Sequence, residues 1–245
     1  PPAQQEDRVQ DRETIEKKLK NIKLLFTLPM KLKVMITGAN GLVGHGVLLK
    51  CLESEDIGEV LLIGRWSSGI KHTKLTELVV PDLLDLDAHE HLLIGYHACF
   101  YCSRVVPAEI DDESYSQFAM DTALGFATQM LVLNPNIVFC FLSRSKGEGK
   151  ISEDAKITCM IEAALSKLIF RRLFFFRTNL VAPLTSQKNI NFSQRLLALA
   201  YPLLKFLMPN KINTTSEVGL AMINTLVTDC ERQALGAREI RALAS

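Results

Sequence analysis

Residues 34–46 read VMITGANGLVGHG, setting Gly38, Gly41 and Gly44 three apart between an apolar run and a helical one. This spacing suits a turn that holds the pyrophosphate of a nucleotide. Gly38 allows the tight turn, Gly41 lets the backbone approach a phosphate with no Cβ in the way, and Gly44 lets the following helix pack closely on the strand. The helix N-terminus supplies N–H groups and the positive end of its dipole. Three glycines alone are weak; between a strand and a helix at the start of an α/β region they read as a dinucleotide fingerprint. The next apolar run, VLLIGR, ends in Arg65, where NAD binding would place an acid for the ribose 2′-hydroxyl. A guanidinium suits a 2′-phosphate, so NADP(H) is expected over NAD(H), the alternative being a plain surface arginine. Asp82 and Leu83 follow the third apolar run and are expected at the adenine edge.

These residues need a scaffold, and the sequence supplies one. From residue 32, apolar runs alternate with helical segments. KVMITG, EVLLIGR, a short run within KLTELVVPDLLD, HACFYCS, IVFCFLS and RLFFFRTNLVAP read as six strands. Helices are expected over GLVGHGVLLKCLES, over 112–133 with Phe118, Ala123, Phe126, Met130 and Leu131 on its apolar face, and over 153–168. Continuous apolar strands separated by helices imply an α/β fold, a parallel sheet with helices on both faces. A small C-terminal helical part follows, in which Thr214 and Glu217 form a capping box. Residues 1–30 differ in composition. Ile15, Leu19, Ile22 and Phe26 recur at helical spacing, which predicts an amphipathic helix that either packs on its own domain or docks a protein partner. The expected division is an N-terminal extension, 1–30, and a nucleotide-binding domain with a substrate-type helical region, 31–245.

Composition limits the function. The chain has 245 residues, 48% of them hydrophobic, which excludes wholesale disorder. Its net charge of +1 is spread along the sequence, so no nucleic-acid surface is expected. Lys17, Lys18, Lys20 and Lys23 follow closely on Glu13 and Glu16, as on a solvated helix face. The six cysteines sit within apolar segments, as buried thiols in a reducing compartment do. Cys99 and Cys102 lie on a strand three apart and face opposite sides, so neither a disulfide nor a metal site is expected. No run of eighteen apolar residues is present, so no transmembrane segment is expected; LLALAYPLLKFLMP is broken by Pro202 and Lys205.

Taken together, MITGANGLVGHGVLLKCL, GIKHTKLTELVVPDLLD, ACFYC, LNPNIVFCFLS, YPLLKFLMP and EVGLAMINTL resemble the atypical and extended short-chain dehydrogenase/reductase superfamily. Within it the epimerase-like proteins of the Tat-interacting oxidoreductase-like subgroup are the nearest in pattern. The resemblance, over about residues 32–243, implies a Rossmann-type doubly wound parallel sheet with NADP(H) in the crevice at the carboxyl ends of the strands. Gly38, Asn40, Gly41, Leu42 and Val43 would carry the phosphates, Arg65 the 2′-phosphate, and Cys102 would lie near the ribose. It also exposes a departure. Enzymes of the superfamily use a serine and a Tyr-x-x-x-Lys pair on the helix after the fifth strand, where residues i and i+4 share a face and the Lys tunes the Tyr for proton transfer. Ser143 matches the serine, or is an ordinary strand-end serine. The helix SEDAKITCMIEAALSKL contains no Tyr; the Tyr position falls on Asp154 and the Lys position on Thr158, with Lys156 nearby on another face. Ser103 and Arg104 replace a glycine after the fourth strand, so that Arg104 either grips a phosphate or fills the nicotinamide pocket. Arg177-Thr178-Asn179 replaces Arg-Pro-Gly.

Two functions stay open at this stage. One is a catalytically degenerate, NADP(H)-binding accessory subunit, structural or regulatory, with a precedent in the NADPH-binding subunit of the mitochondrial respiratory complex; a start at Pro1 fits either a trimmed targeting peptide or an arbitrary chain boundary, and a mitochondrial matrix location is expected over a cytoplasmic one. The other is an active oxidoreductase or epimerase in which Tyr115, Asp121 or Asp154 moves the proton.

Overall fold

The structure is a computed structural model that describes residues 31–104, 112–144, 153–183, 199, 201 and 211–245. The expected N-terminal helix and most of the segment 184–212 lie outside the described residues. From Leu32 to Ser245 the chain forms one compact unit.

Strand β1 (Leu32–Thr37) leads through the glycine turn into helix α1 (Leu42–Glu53), followed by β2 (Ile57–Gly64) and β3 (Leu75–Val79). A 3-10 turn (Asp87–His89) runs into the single helical turn α2 (Glu90–Leu93), and then come β4 (Ala98–Tyr101), α3 (Asp112–Leu133), β5 (Val138–Arg144), α4 (Glu153–Leu165) and β6 (Arg172–Thr178). The chain closes with β7 (Leu180–Ala182), β8 (Ile212–Thr214), α5 (Thr215–Val227), β9 (Ala234–Leu235) and α6 (Ala237–Leu243).

The main sheet has the order β3-β2-β1-β4-β5-β6-β9, with every pairing parallel. The strand runs are apolar throughout because both faces are covered. Val34, Ile36, Val60, Leu62, Phe100, Cys140, Phe174 and Phe176 pack beneath α1, α5 and α6. Their alternate neighbours Met35, Leu61, Ile63, Cys99, Tyr101, Phe139, Phe141 and Phe175 pack beneath α3 and α4. The two-residue period of a strand thus divides one apolar run between two cores. It also separates the Cys99 and Cys102 side chains onto opposite faces, and all six cysteines are free.

The register sets up the site. Thr37 at the end of β1 lies opposite Ile63 of β2 and Tyr101 of β4, and Tyr101 lies opposite Phe141 of β5. The strand ends are therefore level, and residues 38, 65, 102 and 143 emerge along one rim. After β1 the chain builds outward to β2 and β3, then crosses to β4 on the other side of β1. That reversal opens a crevice beyond the strand ends.

Three expectations need correction. The segment RLFFFRTNLVAP is two strands. The ladder with β5 ends at Thr178, opposite Arg144, and Leu180–Ala182 pairs with β8 instead. Phe118 is 40% exposed because the first turns of α3 border the crevice; Phe126 and Met130 of the same helix lie over the sheet and are fully buried. The C-terminal part also contributes β9, a seventh strand of the main sheet beside Phe175 and Phe176.

Candidate functional site

The crevice divides into two cavities that share a wall. The outer one, about 280 Å³, is bounded by the glycine turn, the end of β2 and the segment after β3. The inner one, about 510 Å³, runs from the start of α1 over the ends of β4 and β5 to α3 and α4. Gly41, Cys102, Ser103 and Arg104 line both.

The glycine turn is fixed by its surroundings. Gly38 has φ +73°, and a Cβ there would lie 2.5 Å from the Cys102 carbonyl, where β4 ends against β1. A Cβ on Gly44 would lie 2.2 Å from the Gly38 carbonyl oxygen, so α1 packs directly on the turn that precedes it. Gly41 is the N-cap of α1 and brings no capping side chain, and no acid stands in the first helical turn. The helix dipole therefore meets no charge of the protein's own there, as an anion site requires. The Ser103 N–H donates to Thr37 Oγ1 at 3.3 Å and ties the ends of β1 and β4 together.

Gly38, Asn40, Arg65, Asp82 and Leu83 line the outer cavity, Leu42, Val43, Gly44 and Ser143 the inner one, and Gly41, Cys102 and Arg104 both. The structure thus brings the residues expected to hold the cofactor, together with Ser143, to one crevice. Asn40 donates to the Trp66 carbonyl at 3.4 Å and links the turn to the end of β2. Arg65 is exposed and its side chain has no partner among the described residues. Burial pushes the Cys102 thiol well above its ordinary pKa, so it stays protonated.

Sequence reasoning missed three features of the outer cavity. Trp66, 70% exposed, and Phe118 present aromatic surface to it. The Thr122 hydroxyl, on the same wall, is buried and has no hydrogen-bond partner among the described residues. A buried hydroxyl left unpaired is costly and is satisfied when a ligand supplies the partner. A phosphate-sized turn, an unpaired guanidinium, aromatic surface and an orphaned hydroxyl together fit an adenine nucleotide.

The inner cavity has a different chemistry. Asp154 and Thr158, four apart on α4, both face it, so a carboxylate and a hydroxyl stand where Tyr and Lys are expected. The Asp154 carboxylate pairs with Arg104 and lies 3.7 Å from the Arg144 guanidinium. Arg104 also bonds Tyr115. Lys156 is exposed and lines neither cavity, and Asp121 lies outside both and accepts from Gln117. The Ser143 hydroxyl donates to Glu162 at 2.6 Å, and the same carboxylate takes two bonds from Arg177 Nε at 3.1 Å and one from Nη2 at 2.5 Å. Ser143 is 4% and Glu162 5% exposed. The serine proton is committed to that carboxylate, which leaves its oxygen only as an acceptor toward the cavity. The signal lay in the sequence: Asp154, Thr158 and Glu162 recur every fourth residue and put a polar stripe beside the apolar Ile157, Ile161 and Leu165.

Solved structures share this architecture. The reductase domain of PhqB from Penicillium fellutanum superposes with a TM-score of 0.59 at 15% identity, over 87% of this chain and 68% of that one. A short-chain dehydrogenase/reductase from Saccharomyces cerevisiae gives 0.59 at 12%, over 87% and 98%. The chain has the short-chain dehydrogenase/reductase fold. UDP-glucuronic acid 4-epimerase from Bacillus cereus, solved in complex with NAD, shares that fold at 0.59 and 12% identity, over 83% of this chain and 76% of that one. No family model matches the chain, and a search of curated proteins finds no match. Among the described residues of this short-chain dehydrogenase fold, no helix is long and apolar enough to cross a membrane, and no group of three acidic, cysteine or histidine side chains is placed to hold a metal.

Proposed function

We propose that this chain binds NADP(H) in the crevice and serves as a structural or regulatory accessory subunit, with no turnover through a Tyr–Lys pair. One observation carries the reading: the two ends of a single crevice differ. The outer end keeps a tight glycine turn, the unpartnered Arg65 and the orphaned Thr122 hydroxyl. At the inner end the Tyr and Lys positions hold Asp154, bound to Arg104, and Thr158, while Ser143 has committed its proton to Glu162. A nicotinamide supplies hydride chemistry when bound. This chain's residues would hold the pyrophosphate at Gly38–Gly44 and the 2′-phosphate at Arg65. A nucleotide that binds only the folded state stabilises it by about 2.7 kcal/mol at a hundredfold excess over Kd, without turnover. The partner surface we propose is residues 1–30. The location we propose, the mitochondrial matrix, rests on the resemblance to the respiratory accessory subunit.

The test uses Trp66, the chain's single tryptophan, on the outer cavity wall. Titration of the full chain with NADPH is expected to quench its emission saturably, with NADH weaker. Arg65→Glu is expected to remove that preference, weakening NADPH by about tenfold to a hundredfold as one charge-assisted contact is lost. Native purification is expected to bring a fixed set of other chains. No saturation with either nucleotide sinks the cofactor assignment. Tyr115 borders the inner cavity, so steady NADPH consumption with carbonyl compounds, abolished in Tyr115→Phe, would establish the active-enzyme alternative instead.

A further inference from the structure

At the inner cavity Arg104 follows β4, Arg144 ends β5 and Asp154 lies in the first turn of α4, and all three line the same space. Both guanidiniums address one oxygen, Asp154 Oδ2. Arg104 bonds it directly. Arg144 stays at 3.7 Å, too far for a hydrogen bond, and among the described residues its guanidinium has no hydrogen-bonding acceptor. Glu162 adds no free negative charge, because Arg177 grips it from the other side. Two fixed positive charges and one negative charge therefore meet at this cavity, with one guanidinium fork uncommitted. One stretch of the remaining wall is apolar, with Ala119, Ala123, Phe141, Ile157, Ile161 and Val181, while Tyr115, Ser143, Thr158 and Asn179 make the rest polar. A space of about 510 Å³ with this lining suits a small molecule that has an apolar body and one anionic end.

We propose that the inner cavity binds an organic monocarboxylate. Its carboxylate meets the planar fork of Arg144 with Arg104 beside it, and its apolar body lies on the Phe141–Ile157–Ile161 wall. The fork geometry matches a carboxylate through two parallel N–H···O bonds, and Arg144, with its side chain 48% exposed, is open to a ligand entering from solvent. Asp154 is the internal competitor for the same two cations. This goes beyond nucleotide binding and does not depend on it.

The experiment is calorimetric titration of the full chain with 2-naphthoate and with its uncharged isostere, 2-naphthamide. The acid is expected to bind at least about tenfold more tightly than the amide, the value of one charge-assisted pair. Arg144→Gln is expected to lower affinity for the acid by about tenfold and to leave the amide unchanged. Asp154→Asn is expected to raise affinity for the acid, a gain that a misfolded variant cannot imitate. Equal binding of acid and amide, no heat from either, or weaker acid binding in Asp154→Asn overturns the proposal. NADPH titration of the same preparations separates the two readings: nucleotide without naphthoate removes only the carboxylate site, and naphthoate without nucleotide removes only the cofactor assignment.

Discussion

The Ser143 hydroxyl and the Arg177 guanidinium meet on the two sides of the Glu162 carboxylate, whose side chain is only 7% exposed, whereas Arg177 is 43% exposed. Removing the carboxylate strands a buried hydroxyl donor and leaves a cation that water can partly reclaim. Glu162→Ala is therefore expected to cost about 2–3 kcal/mol, the low end for breaking a buried pair. Glu162→Gln keeps an acceptor for Ser143 and is expected to cost less. Urea unfolding of both variants measures this, and an unchanged midpoint in Glu162→Ala would mean that water already satisfies the network. The serine was legible from its place at a strand end. The acceptor of its proton was not, because it lies 19 residues on, in another element. The glycine turn was legible because its three residues are local and each answers a backbone demand. Trp66 and Thr122 carry no spacing signal, and their place on the crevice wall follows only from β2 and α3 converging there.

Helix α5 shows what an element contributes to a site it does not line. Its N-cap, Thr214, accepts from the Glu217 N–H at 3.0 Å, and the Glu217 carboxylate accepts from the Thr214 N–H at 3.0 Å. Both halves of the capping box expected from the sequence are present. The helix packs its Val218 and Met222 in the same core as Val47 and Cys51 of α1, the helix that follows the glycine turn. Thr214→Ala is expected to cost about 1 kcal/mol, a fall in Tm of about 2–4 °C for a domain of this size. Preference for NADPH over NADH is expected to stay as in the parent. A larger loss with weakened nucleotide binding would mean that α5 also holds α1 in register. Caps and long apolar strands are written in a few adjacent residues, so they could be read. The break at Asn179 and the two-residue strand β9 could not, because each depends on where a neighbouring strand ends.

The unit from Leu32 to Ser245 is a parallel sheet between two cores, both built, among the described residues, from that unit. Among the described residues the crevice is lined from Gly38 onward. Folding and nucleotide binding are expected to reside in residues 31–245 and partner binding in residues 1–30, whose apolar stripe has to be buried somewhere. Deleting residues 1–26 is expected to leave the urea midpoint and the Trp66-detected NADPH titration unchanged, while the chains that co-purify with the full protein are lost. Retention of those chains would place the partner surface on the α/β unit itself. A drop in midpoint large enough to unfold the truncated chain would mean that the stripe of Ile15, Leu19, Ile22 and Phe26 packs within its own molecule, and the extension would then be part of the fold rather than an arm for assembly.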